Sequence, residues 1–276
     1  MLHLLYARFW HKVLHKLGVV STPEPFQKVV HQGMILGSDG EKMSKSRGNV
    51  VNPDDIVTKF GADALRLYEM FMGPLEAVKP WQTGQVQGVV RFRDKVFQIV
   101  KKNCAAVADG DCQKDDAEIN ELTREMHKTI KKVTGDIESM SFNTAISAMM
   151  IYTNALSSYK GPNSLPRPLV ENLVLLLSPI APHCAEEFWE MLGHSKSLVY
   201  HPWPTYDESQ CVETMTTVVI QVNGKKRASL NIGNDLAKET IIDMALGEEK
   251  IKKFLSGKTV AKTIYVPGKI INIVVK

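Results

Sequence analysis

Lys42 and Lys45 lie three residues apart in the stretch Gly40-Glu41-Lys42-Met43-Ser44-Lys45-Ser46-Arg47-Gly48-Asn49. Phosphate chemistry needs positive charge where negative charge develops on departing oxygens, and apart from Arg47 these two lysines are the cations of the stretch. Gly40 and Gly48 supply backbone freedom at its two ends, as a segment that opens and closes requires. The combination suits a loop that closes over a triphosphate. By composition alone, Lys-x-x-Lys among serines also describes a solvated surface loop.

Such a loop has to be held on both sides. Val29 to Leu36 reads as a buried strand leading into it. After it, Asn52 is placed to cap a helix whose first position is Pro53 and whose first turn carries Asp54 and Asp55, acids that favour the positive end of the helix dipole. Upstream, Leu5, Phe9 and Val13 recur at helical spacing with Arg8 and Lys12 on another side, an amphipathic helix ended by Gly18.

A long amphipathic helix is predicted over 86–108, a polar connection over 109–116, and helical periodicity over 117–138, 142–158 and 167–178. The second of these starts at a Ser141 cap and the third follows Pro166. A last helix begins at Pro182, and helices with short links imply a bundle. From Thr217 the period becomes strand-like: Val218–Val222, the turn pair Asn223-Gly224, and Lys225–Ile232 form a hairpin pattern. Helical stretches over 237–246 and 248–255 and strands over 259–266 and 270–275 complete a small ββααββ module. The fold class is therefore mixed and mainly α.

The 276 residues exceed one typical domain. The net charge is only +4, but residues 215–276 carry eleven Lys and Arg against five Asp and Glu. That excess is an electrostatic footprint for a phosphate-rich partner or a solvated basic surface; composition does not separate the two. Cys104, Cys112, Cys184 and Cys211 lack Cys-x-x-Cys spacing, which argues against a zinc ribbon or a disulfide framework. No run of 18 apolar residues predicts a membrane span. Residues 1–23 carry Arg8, Lys12 and Lys16 and no acid, a composition also found in organellar presequences.

The string Lys42-Met43-Ser44-Lys45-Ser46 resembles the second signature of the class I aminoacyl-tRNA synthetases. Its surroundings resemble the leucyl-tRNA synthetase family: His31-Gln32-Gly33-Met34-Ile35-Leu36-Gly37 before it, then Asn49 to Val57, Gly61-Ala62-Asp63-Ala64-Leu65-Arg66-Leu67-Tyr68, Phe71 to Glu76 and Lys79-Pro80-Trp81. Ser141-Phe142-Asn143-Thr144-Ala145, Ser178 to His183, Val222 to Lys225, Gly257 to Val260 and Val266 to Lys269 extend the likeness along most of the chain, strongest over 1–100.

The resemblance implies the C-terminal part of a bacterial- or organellar-type enzyme. Its parts are the end of a Rossmann-type catalytic domain over 1–80, a helical bundle of the anticodon-binding type over 81–207, and a basic module over 215–276. The implied reaction is ATP-dependent activation of leucine and its transfer to tRNA(Leu), with Mg2+ on the phosphates and no resident protein metal site. Lys45 would stabilise pyrophosphate with help from Lys42, while Met43, Ser44 and Ser46 border the ATP. His3 falls where the family has a histidine lining the leucine pocket, although a histidine near a chain start is commonly an exposed polar residue. Lys225, Lys226, Arg227, Lys258, Lys262 and Lys269 become candidate contacts to tRNA phosphates.

The first class I signature, His-Ile-Gly-His or a variant, does not occur in residues 1–276. This polypeptide alone is therefore expected not to charge tRNA, and to need the other half of the catalytic domain as a partner. Valyl- or isoleucyl-type synthetases, and a non-catalytic tRNA-binding product, are the competing readings. The implied compartment is the cytoplasm or, in a eukaryote, a mitochondrion or plastid.

Overall fold

A computed structural model of the chain describes residues 2–104, 117–161, 164–212, 215–233, 236–257 and 259–275. The predicted connection over 109–116, the end of the predicted 86–108 helix beyond Cys104, and Cys112 lie outside these residues. The chain divides into two compact units, Met1–Tyr206 and Asp207–Lys276.

The first unit is helical: α1 (Leu2–Lys16), α2 (Pro53–Phe60), α3 (Ala62–Phe71), α4 (Val86–Cys104), α5 (Ala117–Glu138), α6 (Phe142–Ser158), α7 (Arg167–Leu177) and α8 (Pro182–Met191). Two short parallel strands, β1 (Ile35–Leu36) and β2 (Lys79–Pro80), stand beside the lysine loop. The periods of the bundle helices were legible in the sequence because each of their amphipathic stripes is buried. Val89, Val96 and Val100 of α4, Ile130 and Val133 of α5, Ile146 and Met149 of α6, and Leu173, Leu176 and Leu177 of α7 are fully enclosed in one continuous core. Ile56, Ala64, Leu67 and Tyr68 of α2 and α3 belong to that same core. Tyr68 meets Trp81 edge-on at 4.9 Å and donates to the Gln82 carbonyl, tying α3 to the approach to α4.

Two local expectations are corrected. Val29 to Leu36 is not a buried strand: only Ile35–Leu36 pairs with another strand, and Val29 and Met34 are exposed, because β2 is two residues long and the bridge from Leu36 to Lys42 extends the pairing by a single residue. Ser141 occupies the position before α6, but its side chain caps no amide. Its own amide donates to the Asp136 carbonyl at 2.7 Å, so the end of α5 fixes the turn instead. Asn52, by contrast, accepts from the Asp54 amide, as its sequence position predicts.

Helix α1 has no buried residue. Its polar side holds the following segment, with Arg8 and Lys12 both on Glu24 at 2.8 Å and His11 against Thr22. Those cations hold the Glu24 carboxyl down to about 2. Its apolar side, including Leu5, Phe9 and Trp10, each 60% exposed or more, faces solvent.

The second unit is β3 (Met215–Val222), β4 (Lys225–Gly233), α9 (Lys238–Gly247), α10 (Glu249–Leu255), β5 (Val260–Val266) and β6 (Ile270–Val275), with sheet order β4-β3-β6-β5. Val218, Ile220, Ile271 and Ile273 alternate along the two central strands and form a core with Ile241, Ala245 and Ile251 of the two helices. β3 and β6 are parallel, while both outer pairs are antiparallel. Asn223 and Gly224 sit at φ 49° and 78°, the left-handed pair that a two-residue hairpin turn demands. The Asn223 side chain also accepts from the Val275 amide at 2.9 Å and donates to the Val275 carbonyl, and Asn272 accepts from the Gly224 amide. The hairpin tip is thereby clamped to β6. Replacing Asn223 with Ala removes two of these bonds at about 1 kcal/mol each. Hydrogen exchange over 270–275 should rise roughly thirtyfold, and an unchanged rate would show that the clamp does not hold the tip.

Candidate functional site

The lysine loop leaves β1 at Gly37 and enters α2 after Asn52. Leu36 makes a β-bridge with Lys42, and the Gly37 amide donates to the Glu41 carbonyl at 2.8 Å, so residues 37–41 form a tight turn. Gly37 has no room for a side chain: a Cβ there would stand 2.7 Å from Asp39 Oδ1 and 2.8 Å from Asn49 Nδ2. Residues Lys45–Arg47 form one 3-10 turn ended by Gly48 at φ 67°, and Gly40 sits at φ 77°.

Asn49 organises this loop from inside. Its Oδ1 accepts from the Ser44 amide at 2.9 Å, and its Nδ2 donates to the Asp39 carboxylate at 3.1 Å and to the Lys42 carbonyl at 3.3 Å. Asp39 in turn accepts from the Glu41 amide. The Glu41 amide first, then the Asn49 side chain, hold the Asp39 carboxyl below its ordinary value. Met43 and Val51 pack against the helical core, pinning the loop at both ends. Sequence reasoning missed the roles of Asp39 and Asn49. Their signal was present, since Asp and Asn are the residues that bond neighbouring backbone in turns.

Lys42 and Lys45 are exposed, and neither makes an ion pair among the described residues, whereas Arg47 reaches Glu41 at 3.5 Å. Ser44 and Ser46 hydroxyls lie 3.3 Å apart on the same turn. The structure thus brings Lys42, Met43, Ser44, Lys45 and Ser46 together on a braced loop with two uncommitted ammonium groups. His3 is exposed on α1. Helical spacing puts it on the same open arc as Trp10 and Leu14.

The basic candidates of the second unit do not form one patch. Lys225 and Lys226 follow the clamped turn, and Lys262 pairs with Val274 near the same end of the sheet. Lys269 precedes β6, about 16 Å away at five residues of strand rise. The Arg227 guanidinium lies 4.3 Å over the Phe254 ring, which directs it to the helical layer. Lys258 lies outside the described residues.

Residues 6–79 match the class I tRNA synthetases for I, L, M and V, and residues 120–242 match the anticodon-binding domain of tRNA ligase. Across its whole length the chain is 58% identical to the leucine–tRNA ligase of Sorangium cellulosum (strain So ce56) and 52% identical to that of Chloroherpeton thalassium (strain ATCC 35110 / GB-78). The chain belongs to the leucyl-tRNA synthetase family. It corresponds to a C-terminal portion and spans about a third of the length of these relatives, 31% and 34%. The solved ternary complex of Agrobacterium radiobacter K84 LeuRS with tRNA and LeuAMS superposes on the entire chain with a TM-score of 0.72 at 35% identity, the chain covering 37% of it. Mycobacterium tuberculosis methionyl-tRNA synthetase in complex with methionyl-adenylate shares the fold over 68% of the chain, which covers 42% of it, with a TM-score of 0.52 and 17% identity. The whole-length identity favours the leucine branch over a valyl- or isoleucyl-type enzyme. No helix among the described residues is long and apolar enough to cross a membrane.

The brace has a pH signature. A carboxyl whose pKa is lower in the folded loop stabilises that loop above the ordinary aspartate value near 4, and the contribution fades as Asp39 protonates below it. Exchange of the Ser44 amide should be slow at neutral pH and should rise, beyond its intrinsic pH dependence, as pH falls below about 4. Asn49→Ala should raise it roughly tenfold at neutral pH. An amide insensitive to both changes would remove Asn49 and Asp39 from the account.

Proposed function

We propose that the chain is the portion of a leucine–tRNA ligase that supplies the pyrophosphate-binding loop and tRNA-binding surfaces. The substrates are ATP, leucine and tRNA(Leu). Residues 1–80 would be the end of the catalytic domain, 81–207 the tRNA-facing helical bundle, and 215–276 a basic tRNA-binding module. The work would take place in the cytoplasm, or in a mitochondrion or plastid of a eukaryote.

The observation that carries this reading is the pair of exposed, unpaired ammonium groups of Lys42 and Lys45 on a loop whose order comes from Asn49. When the leucine carboxylate attacks the α-phosphate of ATP, charge gathers on the departing pyrophosphate oxygens. A cation already paired within the protein would have to break that pair first. Lys45 can meet these oxygens without that cost, Lys42 assists, and the backbone around Met43 and the hydroxyls of Ser44 and Ser46 border the nucleotide. Among the described residues no group of three His, Cys, Asp or Glu side chains could hold a metal ion. Mg2+ would arrive on the ATP phosphates, as part of the substrate.

The open apolar arc of α1 suits the remainder of the catalytic domain as its cover, and His3 on that arc would border the leucine side chain.

In an enzyme that combines this chain with the rest of the catalytic domain, Lys45→Ala should slow ATP–pyrophosphate exchange by about 10²–10³-fold, the scale of one lost transition-state donor. Near-normal exchange would overturn the assignment. For the basic module, Lys225, Lys226 and Lys262 as three phosphate contacts predict a log–log salt slope of about −3, or roughly a fiftyfold loss of tRNA affinity between 50 and 200 mM salt. Filter binding with the 276-residue chain measures this directly, and an affinity unchanged by salt would end that proposal.

A further inference from the structure

Two strings far apart in the chain, Gly61–Tyr68 and Ser178–His183, meet in the fold. Asp63 is 3% exposed, and its two carboxylate oxygens accept from the Cys184 amide at 2.6 Å and bond His183 Nδ1 at 2.8 Å. The residue before α8 is Ala181, which has no side chain able to cap, so an acid on α3 does the capping from outside. Three residues further along α3, Arg66 donates from Nε to the Ile180 carbonyl and from Nη2 to the Pro179 carbonyl, both at 2.9 Å. Arg93 of α4 closes the other end of the pair by donating to the Phe60 carbonyl at 2.8 Å, where α2 stops. Burial works to raise the Asp63 pKa, but the bonds from His183 and Cys184 outweigh it and hold the carboxyl below its ordinary value.

These contacts lie directly downstream of the lysine loop. Only Val50, Val51 and Asn52 separate Asn49 from α2, and Val51 already touches the core. The seat of α2 and α3 therefore fixes where the far end of the loop is anchored. We propose that Asp63 and Arg66 are positioning residues for the lysine loop: by bonding the α7–α8 corner they lock α2 and α3 to the bundle, and so set the place from which Lys42 and Lys45 are presented. This assignment rests on the loop's proposed role only for its significance. Its test uses neither ATP nor tRNA, so the two can fail separately.

The test is hydrogen exchange across the 276-residue chain carrying Arg66→Met, Asp63→Ala or Arg66→Lys. Arg66→Met and Asp63→Ala should speed exchange over residues 41–60 roughly tenfold or more, leaving the centres of α5 and α6 at their original rates, because charge-assisted bonds to backbone are lost only at the seat. Arg66→Lys, which retains the charge but only one donor nitrogen, should restore part of the protection in the loop. Faster exchange confined to 178–184 would overturn the proposal by showing two local helix caps. An equal rise across α5, α6 and the loop would overturn it as well, since the residues would then serve general stability. Should Asp63→Ala fail to fold, the two Arg66 variants decide alone.

Discussion

The side-chain amide of Asn49 holds the lysine loop by bonding the Ser44 amide, the Lys42 carbonyl and the Asp39 carboxylate at once. A neutral group is suited to this task because it orders backbone without consuming charge. Had the loop been tied down by its own lysines, each ammonium would be paired with a carboxylate and its field largely cancelled before any phosphate arrived. Instead the ion pair within the loop is made by Arg47 with Glu41, and Lys42 and Lys45 stay uncommitted. Gly37 follows from the same arrangement, since the polar cluster of Asp39 and Asn49 occupies the space a side chain would need there.

The helical unit secures its ends by reaching across the fold. Asp63 caps α8, Arg66 satisfies carbonyls at the α7–α8 corner, and Arg93 satisfies the end of α2. Buried backbone groups without partners are costly, so each contact both stabilises an end and fixes the distance between two helices. Helix α1 has the opposite character. Its polar side is engaged with Glu24 and Thr22, and its apolar side is open to solvent. That open apolar face is the surface we propose the rest of the catalytic domain covers.

In the basic module, charge is arranged by strand register. A clamp of asparagine side chains fixes the turn that carries Lys225 and Lys226, and pairing across β6 brings Lys262 to the same end. Lys269 is held near the opposite end by the same ladder, and Arg227 is diverted onto Phe254. The five basic candidates among the described residues thus divide into groups with different reach.

The amino-acid sequence by itself determined the long helices of the bundle and the ββααββ order, because their burial stripes have their own periods and Asn223-Gly224, Asn52-Pro53 and Gly18 mark boundaries through local backbone preferences; α3 was not among the helices it marked. It also determined the lysine loop and its likeness to the leucyl-tRNA synthetases, since those are written in consecutive residues. Tertiary structure alone decided that Val29–Met34 is not a strand, that Asp39 and Asn49 brace the loop, that Asp63 and Arg66 serve a corner more than a hundred residues away, and which lysines share an end of the sheet. The reason is physical: a strand needs a partner, a cap can come from any element that packs nearby, and charges combine by distance in space, none of which local spacing encodes.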